Sequence, residues 1–209
     1  MTEIAVIDYG MGNVHSVSKA LVKVSEKNTK VIITNSIDEI KNCSHIVFPG
    51  QGAALECMKN INKYLDVEEF KAIIHEKPFL GICMGLQVLM NSSDENDVTD
   101  CLDVFDGEVK SIRDNLQSKL KIPHMGWSKV EQCYNHPIWK KIENNSYFYF
   151  VHSFFVKPKN EKDILSKTFY SFDFTSGLAK ENIVAVQFHP EKSSKDGLQL
   201  LQNFINWKI

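Results

Sequence analysis

A strand-to-helix turn built around one cysteine constrains the fold of this chain more than any other segment. In Pro78–Gln87 the apolar run Phe79–Ile82 indicates a buried strand, which ends at a Gly-x-Cys-x-Gly pattern. Leu86 and Leu89 then continue at helical spacing. The two glycines let a strand reverse sharply into a helix, because they place no side chain beneath the turn. The segment therefore predicts a nucleophile elbow, with cysteine in the position that serine usually occupies.

Cys83 lies at the centre of this turn and is the candidate nucleophile. The N-terminal end of a helix favours negative charge, and the thiolate is the reactive form of cysteine. A buried free cysteine is more often an inert small hydrophobic residue. We expect that role for the cysteines without flanking glycines, Cys43, Cys57, Cys101 and Cys133. Cys83 is predicted to attack an acyl group and form a covalent intermediate.

The first half of the chain alternates apolar strands with amphipathic helices. The predicted strands are Ile4–Ile7, Val31–Ile33, His45–Phe48 (closed by the turn Pro49–Gly52) and Phe79–Ile82. The predicted helices are Val14–Val24, a helical region that ends near Ile74, and the elbow helix. Such alternation is typical of a mostly parallel sheet that helices cover on both faces.

The pattern changes after the acidic segment Ser92–Asp97, which we expect to be an exposed loop. The strands predicted beyond it have no helices between them: Glu108–Ile112, a stretch near Lys129–Val130, Tyr147–Phe155, Phe169–Phe172 and Ile183–Phe188. This order is typical of an antiparallel extension of a sheet. A final amphipathic helix is predicted from about Lys195 to Trp207. The predicted fold class is α/β, with a mostly parallel central sheet, flanking helices and an antiparallel extension.

Composition limits the class of protein. The 209 residues are 43% hydrophobic and show no linker or repeat, so residues 1–209 are expected to form one domain. The net charge of -2 implies no polyanionic partner such as nucleic acid. An acidic N-terminus and the lack of an apolar run of about 18 residues predict neither a signal peptide nor a membrane span. Scattered cysteines without a Cys-x-x-Cys pair favour a reduced, cytoplasmic compartment.

A cysteine nucleophile needs a base and a group that orients the base. His189 and Glu191 follow the last predicted strand and flank Pro190, which restricts the backbone. Residues two apart in an extended segment point the same way, so Glu191 is expected to hold the ring nitrogen of His189 that does not face Cys83. A histidine beside a strand end is usually structural, and its combination with the elbow is what favours catalysis.

The predicted attack also creates an oxyanion, which needs N–H donors. The elbow supplies the backbone N–H of Met84. A second donor is expected from a neighbouring strand end, and the loop formed by Gly50, Gln51 and Gly52 is the candidate, because its glycines permit an N–H to turn inward. By itself Pro-Gly-Gln-Gly is an ordinary turn.

No cofactor and no metal are expected. Gly10–Asn13 follows the first strand like a dinucleotide-binding fingerprint, but His15 replaces the third glycine and Asn35 replaces the acidic residue. The chain has no Walker-type Gly-Lys-Ser/Thr motif. A metal site formed by the candidate catalytic residues lacks a closely spaced His or Cys pair.

Gly-Ile-Cys-Met-Gly-Leu-Gln followed by a distant His-Pro-Glu resembles the class I, or triad-type, glutamine amidotransferases. The resemblance implies a flavodoxin-like fold and the hydrolysis of glutamine to glutamate and ammonia. Carried over to this chain, the triad is Cys83, His189 and Glu191. The order of the three along the chain is no objection, because triads are defined by geometry.

Further segments resemble one branch of that family, the glutaminase subunits of imidazole glycerol phosphate synthase. They are Asp8–Asn13, Pro123–Trp127, Tyr149–Ser153 and Gln187–Ser193. The resemblance implies that Gln87, His152 and Ser153 contact the substrate glutamine.

The same resemblance implies a partner. Ammonia becomes unreactive ammonium in water, and the chain has no residues left for a second catalytic domain. A separate synthase subunit is therefore expected, in this branch a cyclase subunit with a (β/α)8 barrel that makes imidazole glycerol phosphate in histidine biosynthesis. The resemblance places Trp127, Tyr149 and Lys192 toward it.

Two positions depart from the usual pattern of the branch. Gln51 stands where valine is usual, and Phe154 stands where tyrosine is common. Gln51 leaves open a paralogue that supplies ammonia to a different acceptor synthase, such as one acting on a sugar. A third alternative is a catalytically silent regulatory or binding protein on the same fold, against which the intact triad argues.

Overall fold

The computed structural model describes residues 2–95, 98–116 and 120–209 of the chain, which build a mixed sheet with helices on both faces. In chain order the strands are β1 (Thr2–Ile7), β2 (Thr29–Thr34), β3 (His45–Gly50), β4 (Phe79–Cys83), β5 (Ser92–Ser93), β6 (Thr99–Asp100), β7 (Gly107–Ser111), β8 (His124–Gln132), β9 (Ser146–His152), β10 (Phe154–Pro158), β11 (Ile164–Phe169), β12 (Asp173–Lys180) and β13 (Ile183–Val186). The helices are α1 (Val14–Val24), α2 (Ile37–Asn42), α3 (Ala54–Tyr64), α4 (Val67–Ile74), α5 (Met84–Gln87) and α6 (Ser194–Ile205).

Parallel pairing forms the centre of the sheet. Strands β2, β1, β3, β4 and β13 lie side by side in that order and run in one direction, so their carboxyl ends meet at one edge. At this edge Gly50 of β3 lies opposite Cys83 of β4. Val186, the last residue of β13, lies opposite Ile82. The chain that follows β13 therefore emerges beside Cys83.

Antiparallel strands extend the sheet beyond β13. Strand β12 pairs with β13, β10 and β11, and β11 leads through β8 to β9. On the other side β10 pairs with β7. The predicted fold class is confirmed: the centre is mostly parallel, helices flank it, and the second half of the chain supplies an antiparallel extension.

Two layers of apolar side chains cover the central strands. In β1, Ile4 and Val6 pack on one face with residues of α1 and α6, whereas Ala5 and Ile7 pack on the other face with residues of α2, α3 and α4. This alternation follows from the two-residue period of a strand. Among the residues described, no helix has the length and the apolar character that a membrane crossing requires.

The predicted strand Tyr147–Phe155 and the predicted strand Phe169–Phe172 are corrected by the structure. The first is two strands, β9 and β10, which separate at Ser153 because β9 pairs with β8 while β10 pairs with β7 and β12. Most of the second is the turn between β11 and β12, in which Tyr170 N–H donates to the Phe172 carbonyl oxygen at 2.9 Å. Aromatic content raised the strand signal there, but the rings serve packing: Phe172 lies 5.1 Å from Phe155 between centroids.

The acidic segment Ser92–Asp97 is also different from its prediction. Ser92 and Ser93 form β5, which pairs with β7 in parallel and with β6 antiparallel, and the Ser93 side chain is fully buried. The buried Ser93 hydroxyl is not left without a partner, because it accepts a hydrogen bond from the Glu95 N–H at 3.2 Å. Asn96 and Asp97 lie outside the described residues.

Candidate active site

Cys83 lies on a sharp reversal at the end of β4. Its φ of 56° and ψ of −106° fall in the left-handed half of the conformational map, which costs a residue with a side chain about 1–3 kcal/mol. Such strain persists only where the surrounding structure imposes it, and it is common at functional sites. The reversal leaves the Cys83 side chain in a cleft while the residue as a whole is 6% exposed.

Two glycines let β3 and the turn after Cys83 approach closely. A Cβ added at Gly85 would overlap the Phe48 carbonyl oxygen of β3. A Cβ added at Gly50 would lie 2.6 Å from the Tyr9 hydroxyl oxygen and 2.7 Å from the Met84 Cβ, closer than van der Waals contact. The strand end that carries Gly50 is thereby held against the elbow.

The elbow helix is much shorter than predicted. It spans only Met84–Gln87, because the carbonyl groups that a longer helix would use are taken by another segment. The Val88 oxygen accepts from the Leu102 N–H at 2.8 Å, and the Leu89 oxygen accepts from the Val104 N–H at 2.9 Å. A macrodipole grows with the number of aligned peptide groups, so one helical turn contributes little charge stabilisation at Cys83.

His189 and Glu191 meet directly after β13. Nδ1 of His189 lies 2.9 Å from Oε1 of Glu191, and their side chains are 6% and 0% exposed. The segment is not extended as predicted, since Pro190–Lys192 forms a 3-10 turn that returns the Glu191 carboxylate to Nδ1 of His189. Ser193 ties the turn down: its hydroxyl donates to the His189 carbonyl oxygen at 2.6 Å and accepts from the Tyr149 N–H at 2.9 Å.

Charge around His189 favours its protonated form. Burial lowers the pKa of His189, but interactions with the Cys83 and Glu191 side chains outweigh burial and raise this pKa to about 10. Within the described part of the chain, Nε2 of His189 makes no hydrogen bond of normal geometry. A proton on Nε2 is therefore available to a group that enters the cleft beside Cys83.

The cleft has a volume of about 430 Å³, enough for a small-molecule substrate. Cys83 and His189 line it together with the predicted substrate residues Gln87, His152 and Ser153. Of the predicted oxyanion residues, Met84, Gln51 and Gly52 line the cleft, whereas Gly50 is buried behind them as the last residue of β3. Pro49 and Gly50 thus continue the strand instead of forming the predicted turn.

Both ring nitrogens of His152 are engaged by groups of the protein itself. Its Nδ1 lies 2.7 Å from the Phe154 carbonyl oxygen and must donate to it, so its Nε2 accepts from Nδ1 of His124 at 2.9 Å. Nε2 of His124 in turn accepts from the Ser128 hydroxyl at 2.8 Å. Burial lowers the pKa of His152 to about 3 and that of His124 to about 4, so both rings are neutral at neutral pH. The side chain of His152 shapes the wall of the cleft.

Glu95 lines the cleft, although the sequence placed it in an exposed loop. One carboxylate oxygen accepts the Ala54 N–H at the start of α3, at 2.7 Å. Nothing in the sequence separates Glu95 from the other acidic residues of its segment. In residues 2–95, 98–116 and 120–209, no three His, Cys, Asp or Glu side chains cluster in a way that would hold a metal ion.

A family comparison identifies the chemistry to which this geometry belongs. Residues 5–207 match the family model described as glutamine amidotransferase class-I. The chain belongs to the class-I glutamine amidotransferases. The family resemblance predicted from the elbow and the His-Pro-Glu motif is confirmed, and the protein is an enzyme of the amidotransferase type.

Individual relatives are similar over almost their whole length. This amidotransferase is 48% identical to a protein of Hydrogenovibrio crunogenus named imidazole glycerol phosphate synthase subunit HisH, with 98% of this chain and 96% of that one covered. A protein of the same name from Thiobacillus denitrificans is 49% identical, with 98% and 91% covered. Among solved structures, PurLQS from Thermotoga maritima has a TM-score of 0.72 at 16% identity, covering 98% of both chains. A glutamine amidotransferase from the same organism has a TM-score of 0.62 at 17% identity, covering 93% of this chain and 78% of that one. These two structures show the fold alone.

The amidotransferase exposes one face of the β8–β9 ribbon, the antiparallel pair of those strands. Trp127 lies opposite Tyr149, and their rings meet edge to face with 6.1 Å between centroids. Side chains alternate along strands, so Met125 and Tyr147 project from the same face. Met125 is 62% exposed, and Trp127 and Tyr147 are each 50% exposed. We call these four residues the ribbon face.

The ribbon face continues to the mouth of the cleft. Val151, two residues beyond Tyr149, lines the cleft together with the exposed Lys192. The structure thus brings the three predicted interface residues to the same side of the molecule as Cys83. Sequence reasoning missed Met125 and Tyr147, because β9 is a continuous aromatic and apolar run from Tyr147 to Val151 and its sequence does not show which face is exposed.

Proposed function

We propose that this amidotransferase is the glutaminase subunit of an imidazole glycerol phosphate synthase. It hydrolyses glutamine in one domain spanning residues 1–209 and passes the ammonia, in the cytoplasm, to a cyclase subunit with a (β/α)8 barrel. The observation that carries the proposal is that Cys83 and His189 share one cleft while Glu191 holds the far side of the imidazole. The acceptor is supported by the name that the relatives share at 43%, 48% and 49% identity.

In the proposed reaction, the Cys83 sulfur attacks the side-chain carboxamide carbon of glutamine. The C–N bond breaks, His189 gives its proton to the departing nitrogen, and ammonia leaves a glutamyl thioester behind. The Met84 N–H and a donor from Gly50–Gly52 stabilise the oxyanion on the way. Water then attacks the thioester, releases glutamate and restores the thiol.

The raised pKa of His189 fits both halves of this reaction. While the sulfur is negatively charged, the imidazole holds the proton that ammonia needs. In the thioester the sulfur carries no charge, so one of the two interactions that raise the pKa of His189 is lost and this pKa falls. The neutral ring can then accept a proton from water. Glu191 keeps hold of Nδ1 in both steps.

Two side chains are placed to recognise the polar groups of glutamine. Gln87 donates its amide protons to the Phe154 carbonyl oxygen and to the Gln187 side chain, which leaves its buried Oε1 without a partner among the described residues. This oxygen is a free acceptor for an N–H of the substrate. The Glu95 carboxylate at the cleft wall is suited to the positively charged α-ammonium group.

Glu95→Gln is expected to raise the KM for glutamine by roughly 10- to 100-fold with a smaller change in kcat. The glutamine side chain keeps an oxygen for the Ala54 N–H but loses the charge, and a hydrogen bond to a charged group contributes about 1.5–3 kcal/mol. Steady-state kinetics with glutamine measure the effect. Asp94→Asn is the matched control, because that carboxylate pairs with Lys110 outside the cleft. Equal KM values for Glu95→Gln and Asp94→Asn would contradict the assignment.

The ribbon face is the proposed docking surface for the cyclase subunit. Tryptophan and tyrosine bury large areas at low entropic cost and are enriched at the energetic centres of interfaces. The surface adjoins the cleft in which ammonia forms. A partner seated there receives ammonia before it is lost to solvent.

The proposed function is tested by titrating ammonia release against cyclase concentration for the parent and for Trp127→Ala. The parent alone should be slow, and the cyclase with its ribonucleotide should raise the rate by about 100-fold, the contribution of one well-aimed oxyanion donor. Trp127→Ala should shift the titration to higher cyclase concentration, corresponding to about 1–4 kcal/mol of association energy.

The control for this titration is Phe169→Ala, which removes an aromatic ring that is 68% exposed at the end of β11. Its curve should coincide with that of the parent. Full glutaminase activity without a cyclase, or identical curves for Trp127→Ala and the parent, would refute the proposed interface. Ammonia transfer to a different acceptor synthase would support the paralogue instead.

A further inference from the structure

We propose that Gln187 is a further catalytic residue, which donates a hydrogen bond from its side-chain amide to the reactive sulfur of Cys83. The inference rests on the proposed role of Cys83 as nucleophile. Gln187 follows β13 directly and is 0% exposed. Its Nε2 lies 3.7 Å from the Cys83 sulfur. Its backbone N–H is anchored to the Ser176 carbonyl oxygen at 2.9 Å.

One backbone carbonyl determines which way the Gln187 amide points. The oxygen and nitrogen of an amide side chain are assigned from hydrogen-bonding partners, so an unambiguous partner is needed. The Phe154 carbonyl oxygen can only accept, and the Gln87 amide lies 3.1 Å from it, so Gln87 must present its NH₂ group there. The second proton of that NH₂ group goes to the Gln187 side chain at 3.0 Å, which must present its oxygen. The Gln187 NH₂ group is then left facing Cys83.

The orientation gives the sulfur a donor inside a buried site. An N–H held at fixed distance stabilises a thiolate more than a thiol, because the charged sulfur is the stronger acceptor. Such a dipole needs no reorganisation when the charge forms, and it acts in surroundings of low dielectric constant. Because α5 has a single turn, this donor supplies stabilisation that a long elbow helix would otherwise provide.

Gln187 also connects the nucleophile to substrate recognition. Its oxygen holds the Gln87 amide, whose free Oε1 is the proposed acceptor for the substrate. Removing the Gln187 amide therefore acts on the sulfur and on the orientation of Gln87. Reactivity of the sulfur in the absence of substrate separates the first effect from the second.

The test is the pH dependence of alkylation of Cys83 by iodoacetamide without glutamine or partner, followed on the Cys83 peptide by mass spectrometry. Gln187→Met replaces the amide with an apolar side chain of similar length. It should raise the pH of half-maximal alkylation by about one unit or more, because a hydrogen bond to a charged group contributes on this scale. Glutaminase kcat/KM at neutral pH should fall about tenfold or more. The exposed Cys133 serves as the internal reference in the same digests.

Two variants make the result decisive. Gln187→Asn keeps an amide but withdraws it from the sulfur by one methylene, so it should also move the alkylation profile to higher pH. It replaces Gln187→Met in the test if Gln187→Met does not fold. Ser176→Ala breaks the buried contact between the Ser166 and Ser176 hydroxyls beside this site and should leave the profile unchanged. An unchanged profile in a folded Gln187 variant, or an equal shift in Ser176→Ala, would overturn the proposal. If the alkylation profile shifts in the Gln187 variants but the parent protein does not supply ammonia to the cyclase, the proposed function alone would be overturned.

Discussion

Cys83→Ala should abolish glutamine hydrolysis, by at least about 10⁴-fold, while the protein stays folded and still binds its partner. Removal of the nucleophile of a catalytic triad has effects of this order or larger, because the remaining groups cannot form the covalent intermediate. The substitution deletes one sulfur atom, so the loss of packing is small. Ammonia release with the cyclase present measures the rate, and the titration with the cyclase measures partner binding.

The control for this prediction is Cys43→Ala. Cys43 is also buried, at 3% exposure, but it follows α2 and lies outside the cleft. It should lose a comparable amount of packing and retain the parental rate. A Cys83→Ala protein that turns over glutamine at the parental rate would show that another group performs the attack.

His189→Ala should lower the rate by about 10⁴- to 10⁶-fold, and Glu191→Gln by a smaller factor of roughly 10²- to 10⁴-fold. His189 moves the protons, whereas Glu191 orients the ring and stabilises its charge through the 2.9 Å contact with Nδ1. Oε2 of Glu191 is buried without a hydrogen bond among the described residues, so within them the contact with His189 is what stabilises the charge of this carboxylate. Equal and negligible effects of both substitutions would make the His-Pro-Glu segment structural.

Glu191→Gln should also change the pH dependence of the reaction. With Gln at position 191, one of the interactions that raise the pKa of His189 is removed, so this pKa falls from its value of about 10. The proposed acid is the protonated ring, which loses its proton as the pH rises. With a lower pKa, this loss of the proton and of activity begins at a lower pH than in the parent. The alkaline limb of kcat/KM should therefore move to lower pH in Glu191→Gln. Glu68→Gln, which neutralises an exposed carboxylate on α4, should leave the limb in place.

Local sequence patterns predicted most of the central fold because each strand and helix there carries its own periodicity. The helix at Val14–Val24 occurs with the predicted bounds, and β1, β2, β3 and β4 begin and end within about two residues of prediction. The antiparallel region was harder, since its aromatic residues serve two purposes. Phe172 and its neighbours raised the strand signal, but the chain turns there so that their rings can pack against Phe155.

The elbow shows where local reasoning ended. Gly81 and Gly85 predicted the reversal at Cys83, and the structure explains Gly85 through the Phe48 carbonyl oxygen. The same pattern predicted a full helix, which does not form because the N–H groups of Leu102 and Val104 take its carbonyl oxygens. The early end of this helix could not be predicted from Pro78–Gln87, because the segment that competes for its carbonyl groups lies about 15 residues further along the chain.

By itself the sequence determined the family, the parallel centre of the sheet and the candidate triad, because strand periodicity, flanking glycines and the His-Pro-Glu motif are local properties of the chain. Only the tertiary structure decided which further groups surround the sulfur. Gln187 faces Cys83, and Glu95 enters the cleft, through contacts between residues that are far apart in sequence. The direction of the Gln187 amide depends on one carbonyl oxygen of Phe154, reached through Gln87. Hydrogen-bond direction is a property of the folded network, since each donor is assigned only when every acceptor around it is in place.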